Sequence, residues 1–125
     1  MRVLIVEDDP EINQLLCAYA QIAGFEPDCA LTGRAALDHS MRHQYGLAVL
    51  DVMLPDINGL EVAEQLRAHP ATAGVPIIIL TDLTTDATRR RATEIGVSAF
   101  LNKPFDPDEL IRIMRKKAKD PVSSA

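Results

Sequence analysis

The sequence predicts one α/β domain in which five parallel strands alternate with five helices. Several short runs are apolar at every position rather than at alternate positions, which is typical of parallel strands covered on both faces. Segments with helical periodicity and helix start and stop residues separate these runs. The 125 residues, of which 47% are apolar, suffice for one domain with one aliphatic core. This alternation favours a doubly wound sheet with helices on both faces.

Five runs are assigned as strands. The first, the third and most of the fourth contain only apolar residues, whereas the second is weaker. In chain order the strands are Val3–Val6, a run near Cys29–Leu31, Leu47–Leu50, Pro76–Leu80 and Ser98–Leu101.

The first helix is predicted from its ends and its apolar stripe. Asp9 can cap it, Pro10 suits its first position and Gly24 can end it. Residues spaced at three and four form the stripe expected to face the sheet: Ile12, Leu15, Leu16, Tyr19 and Ile22.

The other four helices carry similar punctuation. The second has Thr32 as its cap and runs to about Met41, and the third starts near Gly59. The fourth covers Asp86 to Ile95 and stops at Gly96, and the fifth begins after Asp106 and ends by about Lys119. We therefore expect one domain over residues 1–119, with residues 120–125 as a flexible tail or the start of a linker.

Composition narrows the classes of function. A net charge of −5 argues against nucleic acid as the main partner. No apolar run approaches the ~20 residues of a membrane span, so a cytoplasmic protein is expected. Cys17 and Cys29 have no metal-binding spacing and are interpreted as buried thiols in a reducing compartment.

Reactive side chains follow four of the five predicted strands. Glu7, Asp8 and Asp9 follow the first strand, and Asp51 follows the third. The fourth is followed by a threonine and the fifth by an asparagine and a lysine, which are Thr81, Asn102 and Lys103. Because ligands of open parallel sheets bind beyond the carboxyl ends of the strands, these side chains are expected to share one site.

The residue types suit phosphoryl transfer to a carboxylate. Neighbouring carboxylates repel one another unless a cation or an ammonium group balances their charge. Mg²⁺ prefers oxygen ligands, commonly one or two carboxylates with waters and a phosphoryl oxygen. A carboxylate can act as the nucleophile toward phosphorus, while metal, lysine and hydroxyl stabilise the oxygens of the transferred group.

With these residues in place, the sequence closely resembles the receiver domains of two-component response regulators of the CheY type. The resemblance covers about residues 2 to 118, and it implies a flavodoxin-like fold with strand order 2-1-3-4-5. Five motif blocks match in order: Val3-Leu4-Ile5-Val6-Glu7-Asp8-Asp9, Asp51-Val52-Met53-Leu54-Pro55, the Gly59 turn, Ile79-Leu80-Thr81 and Lys103-Pro104-Phe105.

The resemblance implies a role for each matching residue. Asp51 would be the phosphoacceptor. Asp8 would bind Mg²⁺ or Mn²⁺ directly, Glu7 would do so through water, and the backbone carbonyl of Met53 would be a further ligand. Thr81 is similar to the switch hydroxyl, and Lys103 to the lysine that pairs with the acceptor and then with the phosphoryl group. Phe100 resembles the aromatic rotamer switch, and the Lys103–Pro104 peptide bond would be cis.

The implied function is a phosphorylation switch that is not a turnover enzyme, although it assists its own phosphorylation and dephosphorylation. A histidine kinase or a histidine phosphotransfer protein would donate the phosphoryl group. The surface of helix four, strand five and helix five would then change its affinity for an output partner or output domain, whose identity the sequence leaves open. A monomer or a weak phosphorylation-dependent dimer would fit this function.

Two departures from the family pattern affect these expectations. Asp82 stands after Thr81, where the family usually has a small residue, and its charge is expected to slow labelling by small phosphodonors. Ser98 and Ala99 replace an acidic pair of many winged-helix regulators, which argues against that DNA-binding subclass and its mode of dimerisation.

Other classes of protein share parts of this sequence pattern. A haloacid-dehalogenase-like phosphatase needs a second acid two residues after its nucleophile, and that position is Met53. A flavin-binding protein would need a phosphate-binding loop after the first strand, where this chain has acids. An interaction module that is never phosphorylated remains an alternative.

His39 and His43 are interpreted as surface residues rather than zinc ligands. The basic residues of helices four and five are interpreted as a solvated face or as a docking surface for an acidic partner.

Overall fold

The computed structural model describes residues 1–118, so the predicted tail over residues 120–125 lies outside the described part of the chain. Five strands and five helices alternate along these residues, as the sequence predicted. The strands are β1 Arg2–Val6, β2 Glu26–Ala30, β3 Leu47–Leu50, β4 Ile77–Thr81 and β5 Ala99–Asn102. The helices are α1 Pro10–Ile22, α2 Gly33–Arg42, α3 Gly59–Ala68, α4 Asp86–Ile95 and α5 Pro107–Lys117.

All neighbouring strands pair in parallel, and the sheet has the order β2-β1-β3-β4-β5. This confirms the predicted fold class and the strand order that the resemblance implied. The four residues of β3 are fully buried, as are those of β4, because helices cover both faces of the sheet. One core cluster lies on each face, the first around Leu50 and Val62 and the second around Ile5 and Leu16.

The predicted helix starts are confirmed by the hydrogen bonds of their caps. Asp9 accepts from the backbone amides of Glu11 and Ile12, and Thr32 accepts from the amide of Ala35. The stop signals hold as well, since Gly24 and Gly96 adopt the positive φ angles of 96° and 86° that end helices.

The apolar stripe predicted for α1 is partly wrong. Leu16 is buried, but Leu15 and Ile22 are 46% and 62% exposed. Asn13 is buried instead, because its side-chain amide donates to backbone carbonyls at the ends of two strands. A polar residue with two such acceptors can replace an apolar one on the inner face of a helix.

The second strand was placed too late in the sequence. It runs over Glu26–Ala30, and Leu31 lies outside it with an exposed side chain. As an edge strand, β2 needs little apolar character. A side-chain network attaches it to its neighbours, because Asp28 accepts hydrogen bonds from Arg2 at 2.9 Å and from the Tyr45 hydroxyl at 2.7 Å.

The interpretation of the cysteines as buried thiols is wrong for this structure. Cys17 on α1 and Cys29 on β2 are joined in a disulfide, and the side chain of Cys29 is exposed. The packing of α1 against β2 brings the two cysteines together, which their separation of 12 residues did not indicate.

Candidate functional site

The carboxyl ends of β1 and β3 bring three carboxylates together. The strands are neighbours, with Val6 paired to Leu50, so the residues that follow them emerge side by side. Glu7, Asp8 and Asp51 each offer an oxygen, and these oxygens all lie within 4.8 Å of one another. Among residues 1–118 this is the one group of three or more side chains with the spacing of a metal site. The predicted acid cluster is therefore present in the structure.

Lys103 supplies the positive charge of this acid pocket, which we define as Glu7, Asp8, Asp51 and Lys103. Its ammonium group donates to Asp51 Oδ2 at 2.7 Å and also to Glu7 Oε1. The lysine side chain is 11% exposed and its two partners are buried more deeply. The family resemblance implied the contact with Asp51 but not the contact with Glu7.

Both members of the Lys103–Glu7 pair titrate away from their usual range. Burial raises the pKa of Glu7, and the hydrogen bond from Lys103 offsets part of this effect. Burial alone would lower the pKa of Lys103, but hydrogen bonds to Asp51 and Glu7 outweigh it and raise that pKa. Lys103 thus stays protonated between its two partners.

Backbone groups fix the remaining carboxylate oxygens. The amide of Met53 donates to Asp51 Oδ1 at 3.1 Å, and the amide of Asp9 donates to Glu7 Oε2 at 3.3 Å. Asp51 therefore has one oxygen held by the turn after β3 and the other held by Lys103. Met53 follows Asp51 on that turn, and the role of its carbonyl as a metal ligand stays a prediction.

Thr81 ends β4 at the same edge of the sheet and is fully buried. Its carbonyl accepts a hydrogen bond from the backbone amide of Lys103 at 3.0 Å, so it lies beside the acid pocket. Its hydroxyl accepts from the amide of Leu83 at 3.2 Å. The sequence correctly predicted where Thr81 lies, and its switch role stays a prediction.

Phe100 lies on β5 and packs at the border of one core cluster, half-buried. The guanidinium group of Arg89 on α4 covers its ring, with 4.6 Å between Arg89 Cζ and the ring centroid. The same guanidinium donates to Asn102 Oδ1 at 2.8 Å. Sequence reasoning assigned Arg89 only to a basic run and missed this contact, for which the spacing of the residues carries no signal.

The remaining basic residues are partly engaged within the domain. Arg91 of α4 pairs with Glu64 of α3, and Arg115 of α5 donates to the carbonyls of Ile22 and Ala23. The ion pair reduces the charge that α4 offers to an acidic partner, and the hydrogen bonds of Arg115 hold its side chain against the end of α1. The Lys103–Pro104 peptide bond is cis, as the resemblance implied.

The acid pocket fits a hard divalent cation. Its donors are carboxylate oxygens, which Mg²⁺ and Mn²⁺ prefer. Three carboxylates and one ammonium group leave two negative charges when all are ionised, which a divalent cation balances. Asp8 is exposed while Glu7 and Asp51 are buried, so the cluster is reached from the side of Asp8.

Comparisons with known proteins agree with this geometry. The family model for the response regulator receiver domain matches residues 3–115. The transcriptional regulatory protein GltR of Pseudomonas aeruginosa is 38% identical over 109 residues, which are 87% of this chain and 45% of GltR. The chain spans about half the length of the curated relatives it matches.

Two solved structures are also similar. The chemotaxis protein CheY4 of Vibrio cholerae has a TM-score of 0.87 and 28% identity, with 93% of this chain and 97% of that chain covered. The receiver domain of the sensor histidine kinase PA1611 of Pseudomonas aeruginosa has a TM-score of 0.84 and 28% identity, covering 93% and 95%. That structure holds a magnesium ion coordinated in its active site cleft.

Proposed function

Because this chain belongs to the family of response regulator receiver domains of two-component systems, we propose that Asp51 is its phosphoacceptor. The observation that carries the proposal is the position of Asp51 within the acid pocket. Asp51 follows β3, the middle strand of the sheet. It lies beside the carboxylates of Glu7 and Asp8, and its Oδ2 atom is 2.7 Å from the Lys103 ammonium. Glu7 also binds the Lys103 ammonium but follows β1, so among residues 1–118 Asp51 is the carboxylate of the acid pocket that follows the middle strand of the sheet.

In the proposed reaction a carboxylate oxygen of Asp51 attacks the phosphorus of a phosphohistidine on a partner protein. An oxygen–phosphorus bond forms, the nitrogen–phosphorus bond breaks, and the imidazole nitrogen keeps the electron pair. The Met53 amide and the Lys103 ammonium hold the carboxylate in one orientation before the attack. The same ammonium group then stabilises negative charge on the transferred group.

Glu7, Asp8, Asp51 and the Met53 carbonyl would hold Mg²⁺ or Mn²⁺, which supplies positive charge for the phosphoryl oxygens when it is bound. Asp8 would bind directly and Glu7 through water. The support is the oxygen-only donor set within 4.8 Å, together with the magnesium ion in the PA1611 receiver domain. Glu7 also shares the Lys103 ammonium with Asp51, which links the metal-binding residues to the acceptor.

Thr81 and Phe100 would transmit phosphorylation to the α4–β5–α5 surface. The Thr81 hydroxyl would donate to a phosphoryl oxygen, and a shift of this side chain would disturb its hydrogen bond from the Leu83 amide, which lies in the loop leading to α4. Phe100 on β5 pairs with Ile79 and is half-buried, and it would change its rotamer when Thr81 moves. The two residues thus give the domain a two-state element that phosphorylation can shift.

We infer the partners from the family. The donor would be a histidine kinase or a histidine phosphotransfer protein, and the output would be a separate partner or an attached domain. The domain would act in the cytoplasm as a monomer or a weak dimer, without turnover of a substrate and without binding nucleic acid itself. Within residues 1–118 no helix has the length and apolar character needed to cross a bilayer.

Mass spectrometry after incubation with acetyl phosphate and Mg²⁺ tests the proposal. We expect one added phosphoryl group on the wild-type protein, lost on treatment with hydroxylamine because acyl phosphates react with it. Asp51→Asn should gain none. Asp38→Asn is the matched control, because Asp38 is an exposed carboxylate of α2 whose ion pair is with Arg42. Equal labelling of Asp51→Asn and wild type would reject Asp51 as the acceptor.

A further inference from the structure

The disulfide between Cys17 and Cys29 lies on the surface at one edge of the domain. Cys29 belongs to the edge strand β2 and is exposed, and Cys17 is half-buried on α1. Both line an open depression of about 490 Å³ between α1 and β2, where Asn13 is also found. A small thiol or disulfide can therefore reach the two sulfur atoms from solvent.

Asn13 connects this cysteine pair to the acid pocket. It lies one helical turn before Cys17, and its side chain is 3% exposed. Its Nδ2 group donates at 3.0 Å to the carbonyls of both Glu7 and Ala30. These carbonyls are at the carboxyl ends of β1 and β2, so Asn13 ties the two strand ends together at the residue that carries a carboxylate of the pocket.

The state of the sulfur decides whether Asn13 is fully hydrogen-bonded. Asn13 Oδ1 lies 3.4 Å from Cys17 Sγ, which is within the reach of a hydrogen bond from a reduced Cys17 thiol. A thiol carries a hydrogen atom that it can donate, whereas a disulfide sulfur carries none. Closing the disulfide therefore removes a donor from a buried amide oxygen, and an unpaired buried acceptor is unfavourable.

We propose that Cys17 and Cys29 are a reversible dithiol–disulfide pair that controls how firmly Asn13 ties the ends of β1 and β2 beside the acid pocket. The oxidant is a low-molecular-weight disulfide. The exposed Cys29 thiolate attacks it and releases one small thiol, and the Cys17 thiolate then displaces the second. Two electrons and two protons pass from the protein to the two small thiols, and a reducing thiol pool reverses the reaction.

Thiol alkylation in a glutathione redox buffer, followed by mass spectrometry, tests the chemistry without reference to phosphorylation. With oxidised glutathione in excess we expect a monomer that takes up no alkylating reagent and has lost two hydrogen atoms. With reduced glutathione in excess, two reagent molecules should add. Two free thiols under both conditions, stable glutathione adducts or disulfide-linked dimers would each overturn the proposal.

Hydrogen exchange measured by NMR tests the link to the strand ends. The probe is the backbone amide of Glu7, which donates to the same Ala30 carbonyl as Asn13 Nδ2, at 3.1 Å. We expect exchange to be about two- to tenfold faster in the oxidised protein than in the reduced one, the range that one lost hydrogen bond allows. Equal rates would overturn the coupling even if the disulfide forms.

Two substitutions separate the donor from the covalent bond. Neither Cys17→Ser nor Cys17→Ala can close the disulfide, but the serine hydroxyl can still donate to Asn13 Oδ1 and the alanine cannot. Cys17→Ser should therefore match the reduced wild type, and Cys17→Ala should exchange as fast as the oxidised wild type. Identical exchange in the two variants would show that the sulfur does not act on Asn13 as a donor, and the proposal would fail.

Discussion

At Gly59, one added carbon atom should disturb both the packing of α3 and the backbone position of Asp51, the proposed acceptor. A β-carbon there would lie 1.9 Å from the carbonyl oxygen of Asp51, 2.8 Å from its carbonyl carbon and 2.9 Å from Val52 Cα. The amide of Gly59 donates to the Val52 carbonyl at 2.8 Å, which holds the two backbones at this separation. Because β-carbons essentially never approach closer than 3.0 Å, Gly59→Ala must move the start of α3 away from the end of β3 by about 1.1 Å.

The free-energy cost of this movement can be bounded. A shift of that size breaks the Gly59–Val52 hydrogen bond, which contributes about 0.5–1.5 kcal/mol. It also disturbs the packing of the buried residues Leu60 and Val62, for which overpacking typically costs about 1–3 kcal/mol. The helix preference of alanine over glycine returns up to about 1 kcal/mol. These contributions sum to a fall in the free energy of unfolding of roughly 0.5–4.5 kcal/mol, with a middle value of about 2.5 kcal/mol, which is a large share of the stability of a domain of this size.

Urea denaturation of wild type and Gly59→Ala measures this difference. With a slope of about 1–3 kcal/mol per molar urea, the middle value corresponds to a fall in the midpoint of about 0.8–2.5 M. Gly33→Ala is the matched control, because a β-carbon there meets the side chain of Ile57 at 2.4 Å instead of a backbone. Ile57 is half-buried and can shift without displacing a backbone, although Val62 Cγ2 also lies 3.0 Å from this β-carbon, so Gly33→Ala should cost less than Gly59→Ala. An unchanged midpoint for Gly59→Ala, or a larger loss for Gly33→Ala, would refute the reasoning.

Three further predictions concern the charged side chains of Asp56, Asp82 and Arg89. Backbone amides at the start of α2 lower the pKa of Asp56 to about 2, so its stabilising effect is complete above the unfolded pKa of about 3.9 and is lost as the pH falls toward 2; the difference in urea midpoint between wild type and Asp56→Asn should shrink over that window, and a constant difference would contradict it. Asp82→Asn should raise the initial rate of labelling by acetyl phosphate about two- to fourfold, because it removes an exposed negative charge beside Thr81 at the edge of the sheet where the proposed acceptor lies, without changing size; equal rates would reject the effect. Arg89→Gln should change the rotamer ratio of Phe100 about two- to fivefold, as measured by fluorine NMR of fluorophenylalanine, because a cation over a partly exposed ring contributes about 0.5–1 kcal/mol. The same ratio in Arg89→Gln and in the neighbouring control Arg90→Gln would count against a role for the guanidinium.

The central sheet could be predicted from the sequence because burial on both faces leaves a pattern within each strand. The runs that became β1, β3 and β4 are continuous and apolar, and their predicted bounds are within one residue of the observed ones. The bounds of β2 were predicted less well, because this strand lies at the edge of the sheet and is stabilised by Asp28. The partners of Asp28 are Arg2 and Tyr45, which are 26 and 17 residues away in the sequence. A contact between side chains so far apart in the sequence has no local signature.

The positions of the acid-pocket side chains are likewise set partly by the strand ends, which the sequence predicts, and partly by a loop, which it does not. Parallel strands bring their carboxyl ends to one edge, so residue types at those ends were enough to predict that Glu7, Asp8 and Asp51 meet. Lys103 also follows a strand at this edge, but β4 separates β5 from β3, so its position at a strand end does not determine which carboxylates it contacts. Its side chain must reach across Thr81 to Asp51, and whether it then also contacts Glu7 depends on how the loop after β5 aims it.

This second contact changes how the charges in the pocket depend on one another. Lys103 is shared between Glu7 and Asp51, and burial raises the pKa of Glu7. A group added to Asp51 that draws the ammonium toward itself weakens the hydrogen bond from Lys103 that offsets part of the rise in the pKa of Glu7. Phosphorylation and metal binding would then be coupled through the lysine as well as through the metal. Replacing Lys103 with a neutral residue would remove that coupling and leave two buried carboxylates without their cation, so its effects on stability and on labelling have a common cause.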